Sequence, residues 1–284
     1  MDTNNLSMKC LQCALKILLA SAFFAFVLIP KASAQSDEFD DYKIRLEGFW
    51  VYSYPSGTFQ GTSDTVPVDL QRDLSFGSYT TGVGKLDWKF THKNHLYVGG
   101  GPFNSSHQTV LNRTIVFQGQ TFEVGTQIQA SLSSPVFIFG YQYDIIRRRR
   151  GHLGLAAQID VFDTHAAIHA VGQVTGPGGS NTAAVSASGS LIAPIPVAGP
   201  EFRFYLTNSP RLYLEGNVYG MYFFGYGNFV SSYGDLGITL AKHVSVNLGY
   251  QLGTRLVVNN DSSNNRIGLY MTQKGPMAGL EFSF

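Results

Sequence analysis

Charge, cysteine and long apolar runs are all scarce in this chain, and each shortage excludes something. Charged residues make up only 14% of the 284. The two cysteines, Cys10 and Cys13, lie in an N-terminal segment that reads as removable. Lys9 and Lys16 precede its apolar stretch, which runs ILLASAFFAFVLI, and Ala32-Ser33-Ala34 follows Pro30. A basic region, a short apolar core and a small-residue site predict a secretory signal peptide over 1–34, cleaved after Ala34. Met8 offers a more compact alternative start. The apolar run is shorter than the ~20 residues that a membrane-crossing helix needs, and no lipobox cysteine follows it. The mature chain, 35–284, then has no cysteine, so disulfides and thiolate metal sites are excluded. Removing Lys9, Lys16, Lys31 and Asp2 from 20 basic and 19 acidic residues leaves 17 and 18. No basic excess points to nucleic acid as a partner.

No later run is long enough for a transmembrane helix either, which excludes a helical membrane protein. What the chain does have is aromatic rings (13%) and 31 glycines, arranged with period 2. Ten strands are predicted. The first, near 42–54, sets Ile44, Leu46, Trp50 and Tyr52 against Lys43, Arg45 and Glu47. The second (80–91) sets Leu86, Trp88 and Phe90 against Lys85, Asp87 and Lys89. The third, about 95–103, alternates more weakly. The fourth (135–146), fifth (152–163) and sixth (195–206) place Asp144, Asp160, Glu201 and Arg203 on their polar faces. The seventh (211–224), eighth (231–240) and ninth (243–253) carry Glu215, Asp235 and Asn247 likewise. The tenth is the terminal PMAGLEFSF, in which Ala278, Leu280, Phe282 and Phe284 alternate with Gly279, Glu281 and Ser283.

The connections alternate in length. Those at 91–94, 147–151, 207–210 and 241–242 are short, whereas 55–79, 104–134, 164–194, 225–230 and 254–273 are mostly long. Short turns on one side and long loops on the other predict a closed, all-β, antiparallel up-and-down transmembrane barrel, with eight or twelve strands as alternatives if a loop is mis-split. A soluble β-sandwich has no reason to sort its loops this way. The terminal strand ending on Phe284 resembles the closing strand of small bacterial outer-membrane β-barrels of the OmpA-like and OmpW-like superfamily. That resemblance implies residence in the outer membrane with both termini periplasmic. It also implies outer-membrane lipid and lipopolysaccharide as surroundings, and Phe284 as an assembly signal read by the barrel-assembly machinery. Aromatic girdles are expected from Trp50, Tyr52, Tyr54, Tyr222, Phe223 and Phe224 at one rim. Phe90, Tyr141, Tyr143, Phe204, Tyr205, Tyr213 and Phe282 would form the other. The Arg147–Arg150 run reads as a solvated turn, and the chain as barrel alone with no domain after Phe284.

Parity sends Lys43, Arg45, Lys85, Lys89 and Arg203 inward, with Glu47, Asp87, Asp144, Asp160, Glu201, Glu215, Asp235 and Glu281. Isolated buried charges are costly, so these groups should pair across the lumen. Small barrels have interiors just wide enough for side chains, which favours a packed polar core over an open pore. A narrow channel for ions or small solutes is the alternative, with a mild cation preference. Catalysis has weaker support. Ten-stranded omptin proteases resemble this architecture and carry an Asp-x-His pair facing Asp-x-Asp. Asp163-Thr164-His165 fits the first half, but the chain holds no Asp-x-Asp, and parity turns Asp163 and His165 outward. A lipid A-modifying enzyme would need a serine beside a histidine, and the outer-side candidates His107, His165 and His169 single out no triad. No metal, phosphate-loop or cofactor motif appears, so no cofactor is expected. A structural or surface-interaction role would then rest on the long loops. TIVFQGQTFEVG, with Phe117 and Phe122 flanking Gln118-Gly119-Gln120, predicts a projecting hairpin. VTGPGGSNTAAVSASGS and VNNDSSNN read as polar, mobile loops.

Overall fold

The computed structural model describes residues 38–60, 67–117, 120–176, 179–223, 227–262 and 265–284, so the expected signal peptide lies outside it. Ten long strands run β1 Ile44–Gln60, β2 Tyr79–Lys89, β3 Asn94–Gly101, β4 Val136–Arg148 and β5 Gly151–Gly176. They continue as β6 Gly179–Tyr205, β7 Arg211–Phe223, β8 Gly227–Ala241, β9 Val244–Ser262 and β10 Asn265–Ser283. Each pairs antiparallel with its neighbours in sequence, and β10 pairs with β1. The sheet thus closes into a ten-stranded barrel, the arrangement that satisfies backbone hydrogen bonds without water.

Period 2 sets the two faces. Trp50, Phe139, Leu155 and Leu248 point outward and are more than half exposed. Arg45, Glu47, Asp87, Arg203, Glu215 and Glu281 lie on the alternate positions and are buried in the lumen. Such an inverted pattern, apolar outside and polar inside, suits a lipid-facing wall. At one end the strands are joined by the short turns expected. Gly151 at the β4–β5 turn has φ +133°, and a Cβ there would lie 1.9 Å from the Arg203 carbonyl oxygen, so only glycine fits.

Three lumenal aromatics lie over a glycine of the adjacent strand. Tyr97 pairs with Gly140, Tyr213 with Gly237 and Phe49 with Gly279. A Cβ on these glycines would come within 2.2, 2.2 and 2.5 Å of the facing ring. Each ring therefore covers the sheet where its neighbour has no side chain. Tyr205 and Tyr213 correct the girdle expected from sequence. Both are buried in the lumen, because they share parity with Arg203 and Glu215. Trp50, Tyr52, Tyr54, Tyr222, Phe90, Tyr141, Tyr143, Phe204 and Phe282 do face outward. The side chains of Phe223 and Phe224 lie outside the described residues.

The opposite end departs most from the sequence reading. Within the segment 164–194, expected as a mobile loop, residues 164–176 and 179–194 are strand: β5 and β6 stay paired from Gly151↔Phe204 to Gly176↔Gly179. At ~3.3 Å per residue, the 26 residues of β5 extend about 85 Å, far beyond an apolar band about 25 Å tall. β9 and β10 likewise remain paired to Ser262↔Asn265, through most of the expected fifth loop. Between β3 and β4, Asn104–Val110 pairs with Gln127–Ser133, and Ile115–Phe117 pairs with Gln120–Phe122 as the expected hairpin. The β1–β2 connection, expected as a simple loop, folds onto these strands. Val68, Leu70, Leu74 and Phe76 bury against Leu111, Ile115, Phe122, Ile128 and Ile168, forming an apolar cap. β6 and β7, by contrast, pair only over Ala198–Tyr205 and Tyr213–Gly220. Pro194 and Pro196, which lack an N–H to donate, stand just beyond that seam.

Depth in the bilayer, rather than exposure, should govern the cost of an outward charge. Leu248, which pairs with Leu236 four residues farther from the short turn than Leu240, and Leu240 itself near the short-turn end of β8 are almost equally exposed, 65% and 64%. Leu248→Arg is expected to cost about 2–4 kcal/mol and Leu240→Arg no more than about 1, measured by urea unfolding of the refolded protein in lipid bilayers.

Candidate functional site

The lumen divides into a charged layer at the short-turn end and a cavity above it. The layer follows from strand parity, which aims charges from facing walls at one another. Arg203 on β6 makes a two-pronged bond to Glu281 of β10, at 3.0 and 2.6 Å. It also meets Glu215 of β7 and comes within 3.9 Å of Glu47 on β1. Arg45 lies 3.4 Å from Glu47 and 3.8 Å from Asp87, and it donates to the Tyr42 hydroxyl. That hydroxyl donates in turn to Asp87 at 2.8 Å. Lys85 sits 3.4 Å from Glu201 and 3.8 Å from Glu47, and the Tyr219 hydroxyl donates to Glu201. Arg203, Tyr213, His95, His152, Gln142 and Glu215 are each under 2–3% exposed, so side chains fill this section of the barrel.

The segment ahead of β1 completes the layer. Asp40 enters the barrel, where His152 is 2.8 Å away and Arg147, Arg45 and Arg203 are 3.8–3.9 Å away. Its carbonyl accepts from Lys89 at 2.9 Å and from Arg147 at 2.6 Å. Phe39 stands edge-on to Tyr205 at 5.6 Å beneath the Arg211 guanidinium, 4.7 Å away. The segment ahead of β1 is thereby pinned across the barrel mouth at the short-turn end.

Of the residues expected in the lumen from sequence, Arg45, Glu47, Asp87, Lys89, Asp144, Asp160, Glu201, Arg203, Glu215, Asp235 and Glu281 are buried there. Lys85 is partly so. Lys43 is not: it lies in the bend before β1 with its side chain exposed. Arg147 also corrects the reading of 147–150 as a solvated turn. Its side chain is buried, 2.7 Å from Asp144 and 2.9 Å from Glu38, while Arg148, Arg149 and Arg150 stay exposed. Sequence reasoning missed Asp40, Tyr42, His95 and His152. His95 bridges Asp87 and Asp144, 3.2 Å from each. Parity on β3 and β5 carried that signal, since His95 alternates with outward Leu96 and Val98.

Above the layer lies a cavity of about 240 Å³. Phe49, Tyr79, Phe103, Phe162, Phe229 and Tyr233 line it, with Gln158 and Asp160 on the β5 wall and Glu47 and Lys85 at its base. Farther out, the cap is locked by Asp73, whose carboxylate accepts from Arg113 at 2.9 and 2.5 Å and from the Asp69 amide at 2.7 Å. Burial raises the affinity of Asp73 for its proton, but the hydrogen bonds from Arg113, Arg72 and that amide outweigh it and hold the carboxyl well below its ordinary value.

The candidate catalytic residues are separated from this lumen. His165 Nε2 is 3.0 Å from Asp163 Oδ1, but both side chains are exposed on the outer face, while Thr164 points inward to Ser134 at 2.7 Å. Ser133 lies opposite His165 in register, yet its hydroxyl donates to Asn104 at 2.6 Å. His169 shares the outer face, about 13 Å along the strand from His165. His107 packs beside Phe76 instead, with ring centroids 6.2 Å apart. Among the described residues no group of three His, Cys, Asp or Glu side chains could hold a metal ion.

These features define a closed ten-stranded antiparallel barrel with an apolar outer wall and a charged lumen. No protein-family model and no curated protein matches the chain. The outer-membrane protease OmpT from Escherichia coli matches with a TM-score of 0.59 at 11% identity, covering 88% of this chain and 100% of that one. At that identity the likeness shows the fold alone. The attachment invasion locus protein Ail of Yersinia pestis matches at TM-score 0.32 and 8% identity, over 83% of this chain and 99% of that one. The toluene transporter TodX of Pseudomonas putida does so at 0.35 and 8%, over 87% and 91%. Both are too distant to add to the argument.

Two outcomes follow. Arg203→Ala leaves Glu281, Glu215 and Glu47 buried together without their shared cation and should cost about 3–5 kcal/mol. Arg203→Lys should recover only part, because an ammonium cannot reproduce the forked contact; urea unfolding in micelles reads both. The depressed affinity of Asp73 for its proton stabilises the cap above the ordinary carboxylate value of about 4, and that contribution is lost as pH falls below it. Amide protection factors across 67–78, taken relative to the intrinsic rate at each pH, should therefore fall below about pH 4, and in Asp73→Asn they should be low already at pH 7.

Proposed function

We propose that the protein is an integral outer-membrane barrel whose lumen does not conduct, and whose role is structural or one of surface interaction. The observation that carries this reading is the charged layer closed by Asp40. It ties the N-terminal segment, β1, β2, β4, β5, β6, β7 and β10 together across the lumen through buried ion pairs. Opening such a layer would strip several charges of their partners at once, a cost of several kcal/mol. With the short turns periplasmic, the paired extensions of β5–β6 and β9–β10 and the apolar cap stand on the cell surface. Phe284 acts in assembly under the same orientation. The outward placement of Asp163 and His165, with no opposing acidic pair, supports a non-enzymatic role.

Single-channel recording in planar bilayers tests the reading. The refolded chain from residue 35 should insert and stay silent. A chain starting at Asp41, which lacks the Asp40 plug, should show flickering conductance. A steady, cation-preferring conductance from the longer chain would overturn the proposal in favour of a transport channel.

A further inference from the structure

We infer that the lumenal cavity is a binding site for a small organic cation, an ammonium group on an apolar or aromatic body, with Asp160 as its counter-ion. The inference deepens the sealed-barrel reading by giving the space above the charged layer an occupant.

The argument begins with a carboxylate that the charge network leaves out. Among the described residues the lumenal cations are all engaged elsewhere. Arg203, Arg45 and Arg147 are bound as described, Lys89 is held by the Asp40 carbonyl, and Lys85 is shared between Glu201 and Glu47 while resting over the Tyr97 ring at 4.9 Å. Asp160 is only 4% exposed, yet no cation among the described residues pairs with it. Among the described residues its donor is the Gln158 amide, which reaches Oδ1 at 2.6 Å. The Tyr97 hydroxyl donates to Gln158 Oε1 at 2.8 Å, so the donors run in one direction, Tyr97 to Gln158 to Asp160, and end at the carboxylate. Oδ2 receives none of them, and Asp160 is part of the cavity wall.

A buried carboxylate without a cation is costly, and the remaining walls show what would compensate it. Phe162 and Phe229 stand 5.9 Å apart by ring centroid, Phe49 and Tyr233 6.4 Å, and Tyr79 and Phe103 4.5 Å. Ring faces attract an ammonium through their quadrupole, more strongly once water is excluded. An anion would meet Asp160 and Glu47 and be repelled, and a purely apolar guest would leave Asp160 uncompensated. At about 240 Å³, the space falls below the ~300–1,000 Å³ usual for drug-sized ligands, which limits the guest to roughly a phenyl ring with a short aminoalkyl arm.

The test is isothermal titration calorimetry on the refolded chain in maltoside micelles, since phosphocholine or amine-oxide detergents carry a competing head group. Phenethylammonium and its uncharged counterpart 2-phenylethanol serve as probes. The expected result is saturable binding of the cation, at least tenfold tighter than the alcohol, with Asp160→Asn reducing cation affinity at least tenfold and leaving the alcohol unchanged. Ile138→Trp, which fills the cavity while keeping Asp160, should abolish binding of both probes and carries the test if Asp160→Asn fails to fold. Absence of saturable cation binding, equal affinity for the two probes, or undiminished binding by Ile138→Trp would each overturn the inference. Titration in micelles reads the cavity independently of conductance, so a leaky barrel and an unoccupied cavity give different results.

Discussion

Arg203 is the interaction on which the interior depends. It starts from β6, on the far side of the ring from β1, and meets Glu281 of β10, Glu215 of β7 and Glu47 of β1. A guanidinium can serve several carboxylates at once because its donors are spread around a rigid plane and its charge is permanent. In a closed sheet each strand is bonded only to its two neighbours, so nothing in the backbone ties opposite walls together. The charged layer supplies that tie, and the segment carrying Asp40 joins it from below. The cost of burying charge makes the arrangement all-or-none: each ion is tolerable only while its partners stay in place.

The barrel was legible because two solvents act on its two faces. Lipid selects Leu, Phe and Trp on one parity, and the lumen collects Arg, Asp and Glu on the other, so segments such as 42–54 and 243–253 announce themselves. The readings that failed did so where that contrast fades. Tyr205 and Tyr213 have both an apolar body and a polar tip, so composition alone suits either face, and only their shared parity with Arg203 and Glu215 decides. Arg147 belongs by composition to a solvated run, but a nearby Asp144 and Glu38 draw it in. Residues 164–194 are rich in Ala, Ser and Gly, which carry little strand signal; pairing there is imposed by the hairpin itself. The cap was missed for a different reason, since Leu70, Leu74 and Phe76 have no regular period and find their partners only in tertiary structure.

The candidate site was half legible. Parity gave the charged residues but not their balance, because balance depends on distances around the ring. Lys85 and Asp160 look like equivalent lumenal charges in the sequence. In three dimensions Lys85 has two carboxylates and Asp160 has no cation, and that difference separates a closed electrostatic layer from a surface that can take a guest. The aromatic walls were similarly scattered over β1, β2, β5, β8 and the connection after β3, with no motif to connect them.

The rings lying over Gly140, Gly237 and Gly279 carry a consequence for how this protein can change. Tyr97, Tyr213 and Phe49 each occupy the volume that a side chain on the facing strand would need. The two positions of a pair are therefore a single choice made jointly: a larger residue at the glycine is admissible only when the aromatic shrinks. Tyr213 is also stacked beneath Arg203, 4.4 Å from its guanidinium carbon. A drift at Gly237 would thus propagate through one ring into the ion network, binding the history of an inconspicuous glycine to that of a charge on another strand.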